Sequence, residues 1–455
     1  MLSKQKYLRF CSVMMLLLAG AFGFRLGAAF YWQSRITTET GLYFGDSETY
    51  WWLAEAVAQG QPYQFDDWQV FRMPGYPILL APLFWLYDGT PPVMTARVEN
   101  ALLGTLLVAA VGVFAFQLFQ DRKTAFWAAC FVAFEPCTVI TNIWVLAETP
   151  FCLAMIGQLS AFVAAMRTTK KSQLLLYAAW FAVLSTITIY FRPSWFYFGF
   201  FVLFVYAVYS VLFNAKKTQS EYKESSNPAR ILRITPIHRA TTILLIFVPV
   251  FVLCMSPWWV RNFRVTGRFV STTLQMGPSL YDGLSPMATG ASDMRFTEEF
   301  RRLEREQPRF ETTDTYEYRV NERIKKAAID WAKQNPGRVV ELVVIKFFRI
   351  WNIWPNEPAF ASSMVRVVVF LTYTPILLAG LFGFYKTWRK GYDYAILLLP
   401  AFYLTILHMV FVASLRYRIP AMLCLMILAA HVFCVFSPKI RQMYERASTR
   451  SGLNL

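Results

Sequence analysis

Charge is what this sequence has least of. Only 16% of its 455 residues are Asp, Glu, Lys or Arg, against roughly 25% in an ordinary soluble domain, and that deficit excludes a chain folded with a fully wetted surface. Histidine is scarcer still: His238, His408 and His431 are the only three, scattered along the chain, and point to no histidine-based triad or metal site. The seven cysteines (Cys11, Cys130, Cys137, Cys152, Cys254, Cys424 and Cys434) all fall inside apolar runs. None follows a metal-ligand spacing, a disulfide framework is not expected, and the redox compartment cannot be read from them. There is also no internal repeat, no low-complexity tract and no linker between soluble domains.

Apolar sequence takes the place of charge. Hydrophobic residues make up 56% of the chain and aromatics 17%, arranged in repeated runs of about 18 to 22 residues, the length that crosses ~30 Å of hydrocarbon as a helix. The predicted fold is an all-α polytopic membrane protein with about ten spans, near 10–32, 97–119, 124–141, 145–166, 173–190, 194–214, 240–260, 364–386, 393–413 and 418–437. The first run continues past Arg25 to Trp32 without an A-x-A cleavage pattern, which reads as an uncleaved signal anchor.

The net charge of +17 would point to nucleic acid in a soluble protein. Here much of it lies in short loops, where it sets membrane orientation instead, so no nucleic-acid partner is expected. With the N-terminus in the cytoplasm, Lys4/Lys6/Arg9, Arg122/Lys123, Arg167/Lys170/Lys171, the 215–239 loop, Lys386/Arg389/Lys390 and the tail from Lys439 to Arg450 all fall on the cytoplasmic side. This holds only if two shorter apolar stretches, 75–87 and 339–354, do not cross. Both are read as interfacial helices on the outer face. The expected organisation is one transmembrane domain over 1–437 with two outer elaborations, 33–96 and 261–363, and a cytoplasmic tail over 438–455. The second elaboration should contain a helix over Tyr316–Gln334, stopped by Asn335-Pro336-Gly337.

Ionisable residues at membrane edges are costly and are candidates for function. Asp46 and Glu48 open a predicted helix over 46–59 and are followed by Tyr50, Trp51 and Trp52. Two apart on a helix, the acids diverge, so one faces a cavity and the other does not. Asp46 could equally be a helix N-cap, and the two readings are compatible. Glu148 starts the fourth span at the outer side, where it either faces the same cavity or simply complements the helix dipole. Glu135, before Pro136, is a weaker candidate. Arg72, Arg192, Arg261, Arg264, Arg416 and Arg418 all lie at outer ends of spans, where the positive-inside rule disfavours them. Snorkelling accounts for such residues one at a time, whereas an anionic ligand such as a phosphate accounts for the set. Arg25, inside the first span, reads as a snorkelling or packing residue.

Several motifs then stand in a telling order: Asp46-Ser47-x-x-Tyr50 with Leu53-Ala54, Gly60-x-x-Tyr63, Arg72-x-Pro74-Gly75-Tyr76-Pro77, Leu146-Ala147-Glu148-Thr149-Pro150, Pro257-Trp258-x-Val260-Arg261-Asn262 before Thr266-Gly267-Arg268, and Arg416-Tyr417-Arg418-Ile419-Pro420. Together they resemble the membrane glycosyltransferases of the GT-C class, in the branch that includes bacterial aminoarabinose transferase and the protein O-mannosyltransferases. The resemblance covers about residues 10–437. It implies a long first outer loop carrying the catalytic acid, a seven-span module and a sugar donor linked to polyprenyl phosphate. Asp46 matches the catalytic acid. Glu148, where relatives often have aspartate, is a second candidate. Glu48, Tyr50, Arg72, Tyr76, Arg192, Arg261, Arg416 and Arg418 are the expected substrate contacts. Relatives often carry a soluble C-terminal domain or further spans, whereas this sequence stops shortly after Phe436, and the acceptor (protein, lipid or glycan) stays open.

The chemistry fits these residues on its own terms. Asp46 would take a proton from an acceptor hydroxyl attacking the anomeric carbon, with inversion, while arginines neutralise the departing phosphate. No metal or other cofactor is then required, although a divalent cation held by Asp46 and Glu148 is compatible with the sequence. The expected location is a bacterial inner membrane with the site facing the periplasm or exterior. A transporter or flippase for a lipid-linked or anionic substrate is the alternative, and a structural assembly subunit a third reading.

Overall fold

The structure is a computed structural model that describes residues 2–87, 89–214, 236–306, 314–355 and 362–451, with side chains over 8–87, 89–212, 237–306, 314–355 and 362–436. Most of the basic 215–239 loop, and the side chains of Lys4, Lys6 and the 439–450 tail, lie outside the described residues. Among the described residues every regular element is helical, and the only β feature is an isolated bridge between Phe65 and Trp68.

In chain order the helices are α1 (Leu2–Gln33), α2 (Gly45–Ala58), α3 (Gly75–Trp85), α4 (Val93–Phe119), α5 (Arg122–Phe134), α6 (Pro136–Thr141), α7 (Glu148–Arg167), α8 (Lys171–Phe191), α9 (Phe198–Tyr209), α10 (Pro236–Thr266), α11 (Met276–Gly283), α12 (Phe296–Glu306), α13 (Tyr316–Gln334), α14 (Pro336–Ile350), α15 (Ser363–Thr387), the one-turn α16 (Tyr392–Ala395), α17 (Leu399–Val410) and α18 (Ile419–Ser451). Nine helical stretches among the described residues are long and apolar enough to cross a membrane. Their outward faces carry large apolar side chains such as Leu16, Phe204, Leu253 and Leu371, each more than 60% exposed. Water disfavours such a surface and lipid does not. The chain is an all-α polytopic membrane protein.

The expected tenth crossing, 124–141, is not one helix. Pro136 has no N–H to continue the ladder, so α5 stops at Phe134 and α6 starts afresh, its first turn capped by Glu135 accepting from the backbone N–H of Cys137 (3.2 Å) and Thr138 (2.7 Å). A break inside a packed helix bundle leaves buried carbonyls that need donors. Arg25 supplies them, giving Nη1 to Ala133 O and Nη2 to Val132 O, both at 2.9 Å, and Nε to Asn142 Oδ1 at 3.0 Å. Arg25 is therefore a fully buried packing residue, not a snorkelling one. Gly104 makes room for this junction, since a Cβ there would stand 2.6 Å from Asn142 Oδ1.

At one end of the bundle the chain is tied by the Arg167–Asp393 ion pair, a bond from Tyr394 Oη to Leu118 O and the stacked Phe119–His431 rings. At the other end sit α2, α3 and the segments 267–306 and 314–355. The predicted helix Tyr316–Gln334 is α13 with those bounds, and the two short apolar stretches are α3 and α14, neither of them among the candidate spans. α3 lies on α8 so closely that a Cβ at Gly75 would be 2.6 Å from Tyr190 O. On α14, Lys346 is buried and donates to Gly283 O (2.8 Å) and Val410 O (2.7 Å), closing the ends of α11 and α17. From α13, Glu317 accepts the backbone N–H groups of Gln69 (2.8 Å) and Val70 (2.9 Å). The segment that follows, with Arg72, is thereby anchored to α13.

Candidate active site

Five charged side chains from five parts of the sequence meet at this end of the bundle. Asp46 lies in the first turn of α2, but Phe44 is the capping residue and the Asp46 carboxylate caps nothing. It turns instead to two guanidiniums: Oδ1 lies 2.6 Å from Arg72 Nη2 and Oδ2 lies 3.1 Å from Arg416 Nη2. Arg416, in the 3-10 turn that leads into α18, also reaches Glu148 Oε1 at 3.7 Å through Nε. Glu148, the first residue of α7, makes no cap bond and has Arg192 Nη1 at 3.5 Å. The result is an alternating chain, Arg72–Asp46–Arg416–Glu148–Arg192, in which cations outnumber anions by one.

Supporting contacts hold each member in place. Arg72 donates from Nε to Thr49 Oγ1 and from Nη1 to Gln275 Oε1, both at 3.2 Å, and its guanidinium stands 5.3 Å from the Tyr50 ring centroid. Tyr50 meets Tyr76 edge-on at 5.2 Å, and the buried Tyr76 hydroxyl accepts from Asn100 Nδ2 at 2.8 Å. Arg192 lies 5.0 Å and Arg416 5.0 Å from the Tyr417 ring, and Arg416 also approaches Phe44.

The electrostatics follow from this geometry. Burial is the strongest single influence on Asp46 and raises its pKa, but Arg72 and Arg416 together outweigh it and hold the carboxyl well below the usual carboxylate range. Its side chain nevertheless keeps 35% of its surface open, so it is reachable from outside the protein. Burial also pulls Arg72 down, and Asp46 beside it reverses the sign, leaving the guanidinium firmly charged. Burial raises the Tyr50 phenol above its ordinary value.

Not every expected site residue joins the cluster. Glu48 points away, accepting from Thr40 Oγ1 at 2.9 Å, which is the divergence expected of acids two apart on a helix. Arg418 is buried and donates to the carbonyls of Ile350 and Asn352 at the end of α14, its guanidinium 3.6 Å from the Tyr373 ring centroid. Arg261 donates to Tyr63 O at 2.8 Å and lies over the rings of Tyr63 and Trp258; it lines a separate cavity of about 520 Å³ with Pro257, Val260 and Arg264. Glu135 serves as the α6 cap. Conversely, Thr49, Gln275 and Tyr417 contact the chain of charges without having been singled out. Tyr417 could have been found from its place between two arginines, whereas Gln275 carries no local signal.

The donor set does not suit a divalent cation. No group of three or more potential ligands gathers among the described residues, and guanidiniums face both Asp46 and Glu148, so a metal ion would have to displace them.

No family model matches the sequence, and no curated protein does. Solved structures do match. Archaeal oligosaccharyltransferase AglB from Archaeoglobus fulgidus, solved with an inhibitory peptide and a dolichol-phosphate, superposes with a TM-score of 0.57 at 13% identity, covering 99% of this chain and 53% of that one. The oligosaccharyltransferase of the same organism in its apo form gives 0.56 at 12% identity, covering 98% and 52%. ArnT from Cupriavidus metallidurans bound to undecaprenyl phosphate gives 0.37 at 14% identity, covering 96% and 80%. At such identities the two oligosaccharyltransferase structures establish a shared fold, the GT-C type, and this chain spans about half the length of theirs.

Proposed function

We propose that the chain is an integral-membrane glycosyltransferase that moves a sugar from a polyprenyl-phosphate carrier to an acceptor hydroxyl, on the periplasmic or exterior side, with inversion and with Asp46 as base. The observation that carries this reading is the alternating chain of three guanidiniums and two carboxylates, assembled at one end of a membrane-type helix bundle and positive by one charge. A polar protein surface has no need of it. A lipid-linked phosphodiester, one negative charge on an apolar chain, suits both the charge and the surroundings. The fold shared with AglB, a protein solved with dolichol-phosphate, supports the same substrate class.

The geometry also supports an order of events. With both oxygens on guanidiniums, Asp46 is a poor proton acceptor at rest. A phosphate bound to Arg416 or Arg72 draws that guanidinium off the carboxylate and raises its basicity. The acceptor oxygen then attacks the anomeric carbon and its proton passes to Asp46. The bond between that carbon and the phosphate oxygen breaks, with the electron pair leaving on the phosphate, whose second negative charge the arginines neutralise. Glu148 does not need to accept a proton: its place between Arg192 and Arg416 makes it a holder of both.

A transporter would use discontinuous helices around a central site. The break between α5 and α6 has its freed groups closed by Arg25 and Glu135 rather than left open to a substrate, which favours the enzyme. Asp46→Asn tests the choice: transfer should fall about 10²- to 10⁴-fold, the range for a positioned general base, while folding and binding of undecaprenyl phosphate persist. Unimpaired transfer in that variant rejects the assignment of the base.

A further inference from the structure

Tyr417 carries no charge, yet two arginines of the site and a histidine outside it arrange themselves on it. Arg192 and Arg416 each lie 5.0 Å from its ring centroid, and His408 stacks on the ring at 4.5 Å with only 9° between the planes. His408 is itself fixed, its Nδ1 at 2.7 Å from Val412 O; facing a carbonyl, that nitrogen must carry the proton, so the tautomer is assigned by its bond. The Tyr417 hydroxyl accepts from Arg416 Nη2 at 3.1 Å, and the same nitrogen bonds Asp46 Oδ2 at 3.1 Å.

A phenol can accept and donate at once. The accepting side of Tyr417 is taken by Arg416, whereas its own proton meets no acceptor among the described residues. Accepting from a cation polarises the O–H bond and makes it a stronger donor. An aimed, polarised donor next to a surplus of positive charge calls for an anionic oxygen. A stacked imidazole and two guanidiniums hold its ring, so binding costs little further side-chain entropy.

We propose that the Tyr417 hydroxyl donates a hydrogen bond to the anionic head group that Arg416 and Arg192 attract, as a neutral third partner of that group. This rests on the anion-binding reading of the charge cluster. It makes Tyr417 a binding residue, with His408 the positioning residue that holds its ring. A neutral donor adds affinity and direction without further charge, so it does not trap the more highly charged phosphate left after transfer.

The test uses the purified full chain in detergent with two probes, undecaprenyl phosphate and undecaprenol. Tyr417→Phe keeps the ring, its stack on His408 and its contacts with both arginines, and removes only the hydroxyl. It should bind undecaprenyl phosphate about 10- to 100-fold more weakly, the loss expected for one hydrogen bond to a charged group, with undecaprenol binding and melting temperature unchanged. Arg416→Gln should also lose phosphate affinity. If Arg416→Gln weakens binding and Tyr417→Phe does not, the Tyr417 proposal is overturned and the anion site stands. If neither weakens it, the anion site itself is rejected, and the proposal with it. Equal weakening towards both lipids marks a merely structural role and also overturns the proposal. Should Tyr417→Phe not fold, Tyr417→4-aminophenylalanine restores an N–H donor at the same place. Wild-type phosphate affinity there supports the proposal, and lost affinity overturns it.

Discussion

Arg416→Gln is the substitution that most directly probes the charge chain, because among the described residues only Arg416 pairs with both acids. Its contacts at 3.1 Å to Asp46 and 3.7 Å to Glu148 each carry about 5 kcal/mol of gross attraction at an effective dielectric of about 20, before desolvation and repulsion from Arg72 and Arg192 are subtracted. The two arms then differ. Asp46 keeps 35% of its side chain open and retains Arg72 at 2.6 Å, so losing that arm costs about 1 kcal/mol at most. Glu148 is only 7% open and would keep only the contact to Arg192, at 3.5 Å; leaving a buried carboxylate under-compensated in this way costs up to about 3 kcal/mol. The variant should therefore melt at a clearly lower temperature in detergent. It should also lose about 10²- to 10³-fold in transfer, the usual effect of removing one preorganised group that stabilises transition-state charge. Adding Glu148→Gln removes the under-compensated charge, so the double variant should regain much of the stability and little of the activity. Wild-type melting and transfer within a few-fold of normal in Arg416→Gln would show that the five residues are neighbours without being an energetic unit.

Two further outcomes separate fold from chemistry. Arg25→Met removes the donors to Val132 O, Ala133 O and Asn142 Oδ1, at about 1–3 kcal/mol for each buried group left unpaired. The yield of folded protein and its melting temperature should fall, while the surviving fraction keeps its affinity for undecaprenyl phosphate; unchanged melting would refute the role given to Arg25. Glu317 gives a pH signature. Burial pushes its carboxyl up to about 7, against the hydrogen bonds from Gln69 and Val70 that pull it down. Because the folded value is raised above the unfolded one, its contribution is fully present below about pH 4.5 and is lost as pH rises through about 7, on the order of 3 kcal/mol across that window. Glu317→Gln should flatten the pH dependence of melting between pH 5 and 8, and an unaltered slope would contradict the assignment.

Much of the architecture was legible in the sequence because a bilayer acts on contiguous residues. A span is a local property of some twenty positions, so apolar runs, the basic loops between them and the helix ending at Asn335-Pro336 could be read without knowing what packs against them. Asp46 and Glu148 could be placed at helix starts for the same reason. The broken crossing was half visible, in Pro136 and the glutamate before it. What made the break tolerable was not, since Arg25 comes from a helix more than a hundred residues earlier and its rotation about that helix leaves no mark in composition.

Partnership was decided by tertiary structure alone. Asp46 and Arg416 are 370 residues apart, and no periodicity relates them. Six arginines looked equivalent in sequence because each lies at a predicted span end. A place at a span end does not fix where the side chain reaches: the segment before α3, the end of α8 and the 3-10 turn before α18 bring Arg72, Arg192 and Arg416 into one cluster, whereas Arg418 goes to the carbonyls ending α14 and Arg261 to Tyr63. The sequence alone could specify a helical membrane protein with acids and arginines at one face. Only the packing of helices against one another, which sets each helix's rotation, determined which of them meet.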